Sequence, residues 1–181
     1  MSISVIIPVG HKDHDFKLID QIKDKFDNFE IILAASYQNS EVKKLEEKVD
    51  KFISIHNSTR AKALNSGAEV AKYDRLWFLH LDSNISLIDK IDFEKIDDEK
   101  INTFLLKFDD EKLKYNSIGA NFRTKYLKLP FGDQSFIVEK KLFNFLGGFT
   151  EGLDKGEDHE FIWKSKTVGI KINIIENFIL S

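Results

Sequence analysis

Short apolar runs alternate with segments of helical period, and this alternation restricts the chain more than any other feature. Ile3–Val9 is a β-branched run closed by Pro8 and Gly10 and reads as a buried strand. Phe16, Ile19, Ile22 and Phe26 then recur at helical spacing within His14–Phe26. Phe29–Ala35 is a second apolar strand, and Asn39 or Ser40 can cap a helix through Val49. Phe52–His56 is a third strand. Ser58 or Thr59 caps a helix whose inner face is Ala61, Leu64, Ala68 and Ala71, and Arg75–Leu81 is a fourth strand. Buried strands separated by amphipathic helices imply right-handed βαβ units and a parallel sheet.

The second half is less regular. Asp89–Lys100 is rich in Asp, Glu and Lys and reads as a solvated surface stretch. Ile101–Phe108 predicts a strand, and Ile118–Leu129 is ambiguous between classes. Phe136–Val138 predicts a short strand and Lys140–Leu146 a helix stopped by Gly147 and Gly148. Glu157–Val168 predicts a helix ended by Gly169, and Ile170–Ile175 a final strand. At 181 residues, with no linker or repeat, one domain is expected.

Composition removes several classes of function. Without cysteine there is no disulfide scaffold, no thiolate nucleophile and no Cys-ligated metal. A net charge of −3 gives no basic footprint for nucleic acid. The opening MSISVIIPVG has no basic leader, and no run is long enough to span a bilayer, so a cytoplasmic chain is expected.

In an open parallel sheet, ligands sit beyond the carboxyl ends of the strands. The loop Val9–Asp13 falls there, and so does His80-Leu81-Asp82. Residues 80 and 82 of an extended chain project to one side, so an imidazole and a carboxylate would point together at that edge. By spacing they suit first a polar strand end with Asp82 capping the next segment, and second a divalent cation. Arg60 and Lys62 stand in the first turn of a helix, where cations oppose the dipole; a phosphate partner or ordinary surface charge accounts for them. Glu157 and Asp158 open another helix, where acids favour the dipole and where a general base could also be held. Gly132, Asp133 and Gln134 read by themselves as a turn.

Taken in order, ISVIIPV, STRAKALNSGAEVAKYDRLWFLHLDSNI and GDQSFIVEKKLFNFLGGFTEGLDKGEDHEF resemble the catalytic domain of glycosyltransferase family 2, of GT-A fold. The FLH-x-D and GDQ variants resemble a subgroup of small bacterial members. The resemblance implies an α/β domain with a mostly parallel central sheet flanked by helices. Residues 1–84 would form its nucleotide-binding half and 85–181 its acceptor-side half. It implies transfer of a sugar from a nucleotide-diphosphate sugar to a saccharide, lipid or other hydroxyl acceptor, with inversion, as in cell-surface polysaccharide or glycolipid synthesis. Asp82 matches the last Asp of the D-x-D motif, the ligand of Mn²⁺ or Mg²⁺, and His80 stands where its first Asp usually stands. Asp158 matches the general base. Pro8, Arg60, Lys62, Asn65, His80, Asp133, Gln134 and Glu157 match the substrate-binding blocks. The resemblance also implies peripheral association with the inner face of a membrane, and leaves the oligomeric state open. One departure is clear: Ala35 and Ser36 occupy the place where the family usually carries an Asp that holds the nucleoside. A silent GT-A-like binding or assembly domain is the alternative that this departure raises.

Overall fold

The computed structural model describes residues 2–10, 16–36, 40–56, 58–108, 114–153 and 155–181. Seven strands form one sheet in the order β3-β2-β1-β4-β6-β5-β7. These are β1 (Ile3–Val9), β2 (Phe29–Ala35), β3 (Lys51–Ser54), β4 (Arg75–Phe78), β5 (Ile101–Lys107), β6 (Phe136–Glu139) and β7 (Ile172–Leu180). The β1–β2, β2–β3, β1–β4 and β5–β7 pairs are parallel, and β6 runs antiparallel to both of its neighbours. The helices are α1 (Lys17–Lys25), α2 (Ser40–Lys44), α3 (Arg60–Val70), α4 (Lys114–Phe122), α5 (Lys140–Phe145) and α6 (Glu157–Thr167). None of the described helices is long and apolar enough to cross a membrane.

Alternation along the strands divides the core into two layers. Ile3, Val5, Ile7 and Val9 of β1 pack with Leu18, Ile19 and Ile22 of α1 on one face. Ile6 and Ile32 pack on the other face with Ala61, Leu64 and Ala68 of α3 and with Phe161 and Ile162 of α6. Thr59 caps α3, its hydroxyl accepting from Lys62 N–H at 3.3 Å. The small residues of α3 let it approach the sheet closely. A Cβ on Gly67 would lie 2.5 Å from Ile6 Cγ2, and Ile6 is fully buried. Gly67→Ala is therefore expected to destabilise by roughly 1–3 kcal/mol through overpacking. A lowered urea midpoint with unchanged slope would show it; an unchanged midpoint would contradict it.

Four expectations need correction. Asp89–Lys100 is not merely solvated: Lys90–Lys95 forms a 3-10 helix with Asp92 and Phe93 buried. Phe93 packs edge-on against Phe26, Phe29 and Trp77, and Asp92 accepts from Asn177 Nδ2 at 2.7 Å. The helix expected through Val49 stops at Lys44 and continues as a 3-10 turn over Glu46–Lys48. The final strand runs to Leu180, since a register shift opposite Phe104/Leu105 lets the polar Glu176-Asn177 pair bulge while pairing resumes at Phe178. The ambiguous Ile118–Leu129 is helical throughout most of its length: α4 passes into a π-helical turn, Arg123–Leu127, ended by Lys128 in the left-handed region.

Two buried carboxylates tie distant elements. Glu30 accepts from Ser4 Oγ, from Lys72 N–H at 2.8 Å and from Lys51 Nζ at 2.9 Å. Burial alone pushes its carboxyl up, but these donors and the Lys51 charge outweigh burial and hold it below the ordinary range. Asp92 behaves alike: burial is overcome by Asp89 N–H, Asn177 and Lys95. Folded values below unfolded ones mean stability present above the ordinary carboxylate range and lost as pH falls through the depressed values. Thermal midpoints should hold near neutrality and fall on acidification below about pH 4. Glu30→Gln should flatten that fall; an unchanged acid profile would remove Glu30 from the account.

Candidate active site

The strand order reverses between β1 and β4, and the crevice beyond the carboxyl ends of these strands is the natural ligand position. β6 contributes through its opposite direction. Because Phe78 pairs with Phe136, the residues after β4 lie beside those before β6. His80 thus meets the 3-10 turn Gly132–Gln134. Its Nδ1 is 3.3 Å from Asp133 Oδ1. The hydrogen bond to His80 holds the Asp133 carboxyl below its usual range against the opposing push of burial, with the Arg60 and Arg123 charges adding to it.

α6 brings its first turn to the same place. Its N-cap, Gly156, has φ +87, a conformation that favours glycine. Asp158 Oδ2 accepts from Gly132 N–H at 2.6 Å, while Oδ1 has no partner among the described residues. A Cβ on Gly132 would lie 2.9 Å from Asp158 Oδ2 and 3.1 Å from His80 Nε2, so the carboxylate and the imidazole converge on one small space. Buried Glu157 forms an ion pair with Arg60, the first residue of α3. Arg60, His80, Gly132, Glu157 and Asp158 together line a small pocket of about 10 Å³, room for one water.

Arg123 joins this site without having been expected there. It comes from the π-helical turn, lies 3.1 Å over the Phe131 ring and donates through Nε to Leu129 O at 2.8 Å. Its Nη2 is buried without a hydrogen-bond partner among the described residues. Burial lowers its tendency to hold a proton, and the charges of Asp133 and Asp158 oppose that effect. Phe131 in turn stacks on His159 at 3.8 Å. The only sequence signal for Arg123 is a basic residue in a segment without a readable period.

Other expected site residues lie elsewhere. The chain does not stay extended from 80 to 82: Ser83 N–H donates to His80 O at 3.1 Å, making a turn. His80 and Asp82 therefore line different clefts, which corrects their expected common projection. Asp82 is exposed, without a partner among the described residues, in a cleft of about 220 Å³ on the α1 side with Lys17, Gln21, Asn84 and Ser181. Gln134, expected to contact substrate, is fully buried and bonded to Thr124 Oγ1, Phe131 N–H and Phe104 O. Asn65 is also committed internally, donating to Phe149 O at 2.8 Å and accepting from Phe149 N–H at 2.9 Å. Lys62 is exposed on α3, and Pro8 pairs with Ala34 inside the sheet. In the place of the nucleoside-holding Asp, Ala35 is buried and Ser36 folds back, its Oγ donating to Val9 O at 3.1 Å. Lys12 and Asp13, in the loop after β1, lie outside the described residues.

Among the described residues no group of three or more His, Asp or Glu side chains could hold a metal by itself. Asp82, without a partner among the described residues, offers one carboxylate, and a hard divalent cation held there would take its remaining oxygens from ligand phosphates and water.

No protein-family model and no curated protein matches the chain, whereas solved structures do. The crystal structure of S. aureus TarS superposes with a TM-score of 0.73 at 17% identity, covering 98% of this chain and 36% of TarS. The fold is GT-A. S. aureus TarS 1–349 gives 0.72 at 17% identity over 98% of this chain and 60% of that one. The same TarS portion in complex with UDP-GlcNAc gives 0.72 at 18% identity, over 100% and 59%. This chain therefore spans between about a third and three fifths of the lengths of these structures.

Proposed function

We propose that the protein is an inverting glycosyltransferase of the family 2 type, with a nucleotide-diphosphate sugar as donor and a saccharide, lipid or other hydroxyl as acceptor. The observation that carries this reading is Asp158: one carboxylate oxygen is pinned by Gly132 N–H and the other has no partner among the described residues, at the ligand edge of a fold shared with a UDP-GlcNAc complex. In the reaction, the acceptor oxygen bonds to the anomeric carbon as the carbon–phosphate-oxygen bond breaks from the opposite face. Asp158 Oδ1 takes the acceptor proton, and the diphosphate leaves with the bonding pair. Arg60, released from Glu157, offers its guanidinium to the phosphates, and Lys62 stands on the same helix. His80 and Asp133 line the sugar side of the crevice. Asp82 would hold a divalent cation, Mn²⁺ or Mg²⁺, which would supply positive charge to the departing diphosphate. The setting we propose is bacterial-type surface polysaccharide or glycolipid synthesis at the cytoplasmic face of a membrane.

A silent binding domain is the second reading. Ser36, bonded back to Val9, and the separation of the Asp82 and Asp158 clefts favour it. Calorimetric titration with uridine and guanosine diphosphates, with and without Mn²⁺, distinguishes the two. We expect binding that Mn²⁺ strengthens at least tenfold, and Asp82→Ala should abolish that strengthening. Absence of binding to every nucleotide tried would leave the silent reading standing.

A further inference from the structure

We propose that the outer face of α4, its π-helical continuation and the end of α6 dock on an anionic lipid surface. Tyr115, Ile118, Phe122 and Tyr126 recur at steps of three and four and so share one helical face, with Leu127 adjoining. They are exposed by 54% at Leu127 up to 82% at Tyr115, and the Phe122 and Tyr126 rings are 4.7 Å apart. Trp163 of α6, 58% exposed, belongs to the same patch. Lys166 Nζ joins the two elements, donating to Leu127 O at 2.9 Å and lying 5.5 Å from the Trp163 ring. A contiguous apolar surface of this kind marks an interaction site.

Charge selects the occupant. The whole chain carries −3, yet Lys125 and Lys128 stand exposed beside the apolar stripe, and the sequence from Tyr115 to Phe131 holds no acid. The end of α6, Trp163–Val168, has Lys164 and Lys166 and again no acid; the nearest, Glu160, already pairs with Lys164 at 3.2 Å. An apolar stripe of aromatic and aliphatic side chains edged by lysines matches the boundary between acyl chains and anionic headgroups. A second copy fits less well, because a two-fold interface would set the same lysines against each other. A glycan platform would use ring faces but has no use for Ile118 and Leu127. Docking of this kind does not depend on glycosyl transfer.

Co-sedimentation of the full chain with phosphatidylglycerol–phosphatidylcholine vesicles tests it. Binding is expected to anionic vesicles, weakly or not at all to pure phosphatidylcholine, and to fall as salt rises. Lys125→Glu with Lys128→Glu should weaken it at least tenfold, by roughly a kcal/mol for each lysine removed. Phe122→Ser with Tyr126→Ser should weaken it comparably, and since all four side chains face solvent the unfolding midpoint should hold for both pairs. No sedimentation with anionic vesicles would overturn the proposal, as would equal binding by both variant pairs. Retention on a soluble polyanionic glycan, or a dimer abolished by these substitutions, without vesicle binding would overturn it too.

Discussion

Asp158→Asn is expected to lower the rate of sugar transfer by about 10²–10⁴-fold while leaving donor affinity and the unfolding midpoint nearly unchanged. The amide oxygen can still accept from Gly132 N–H, the bond that fixes the side chain at 2.6 Å. What disappears is the free carboxylate oxygen that receives the acceptor proton. Single-turnover rates, read beside calorimetric donor affinity, separate these effects. A variant that keeps its rate would remove Asp158 from the chemistry. One that loses donor binding would make it a nucleotide contact instead.

Gln134→Ala should have the largest effect on stability, roughly 3 kcal/mol. The truncation leaves Thr124 Oγ1, Phe131 N–H and Phe104 O without their buried partner. Those bonds join the π-helical turn, the Gly132 turn and β5, so the loss also loosens the loop that holds Asp158. The thermal midpoint should fall by about 10 °C for a chain of this size. If the midpoint holds and only donor affinity drops, Gln134 contacts substrate, as the resemblance of its GDQ block implies.

The difference between these residues shows what the sequence carries. Local signals were sufficient for Ile3–Val9, for Phe29–Ala35 and for the Thr59 cap, because period and capping act within a few residues. The placement of Asp158 at the start of α6 was also legible. Contacts set by topology were not. His80 meets Asp133 only because β6 runs antiparallel to β4, and the turn closed by Ser83 N–H on His80 O divides His80 from Asp82 despite their spacing. Asn65 and Gly67 stand in one motif, but the first secures the Phe149 backbone and the second makes room for Ile6. Phe93 lies in a segment whose polar composition concealed its ring contact with Trp77, and Arg123 in one without a readable period.

Amide chemical shifts of the full chain during titration with nucleotide-diphosphate sugars in Mg²⁺ provide the most direct measurement. Our account predicts saturable shifts at His80, Asp82, Gly132 and Asp158 for at least one donor, and loss of those at Asp82 when Mg²⁺ is removed. No saturable shift with any donor would contradict it, and so would shifts confined to the opposite edge of the sheet, in the cleft between Phe26 and Phe93.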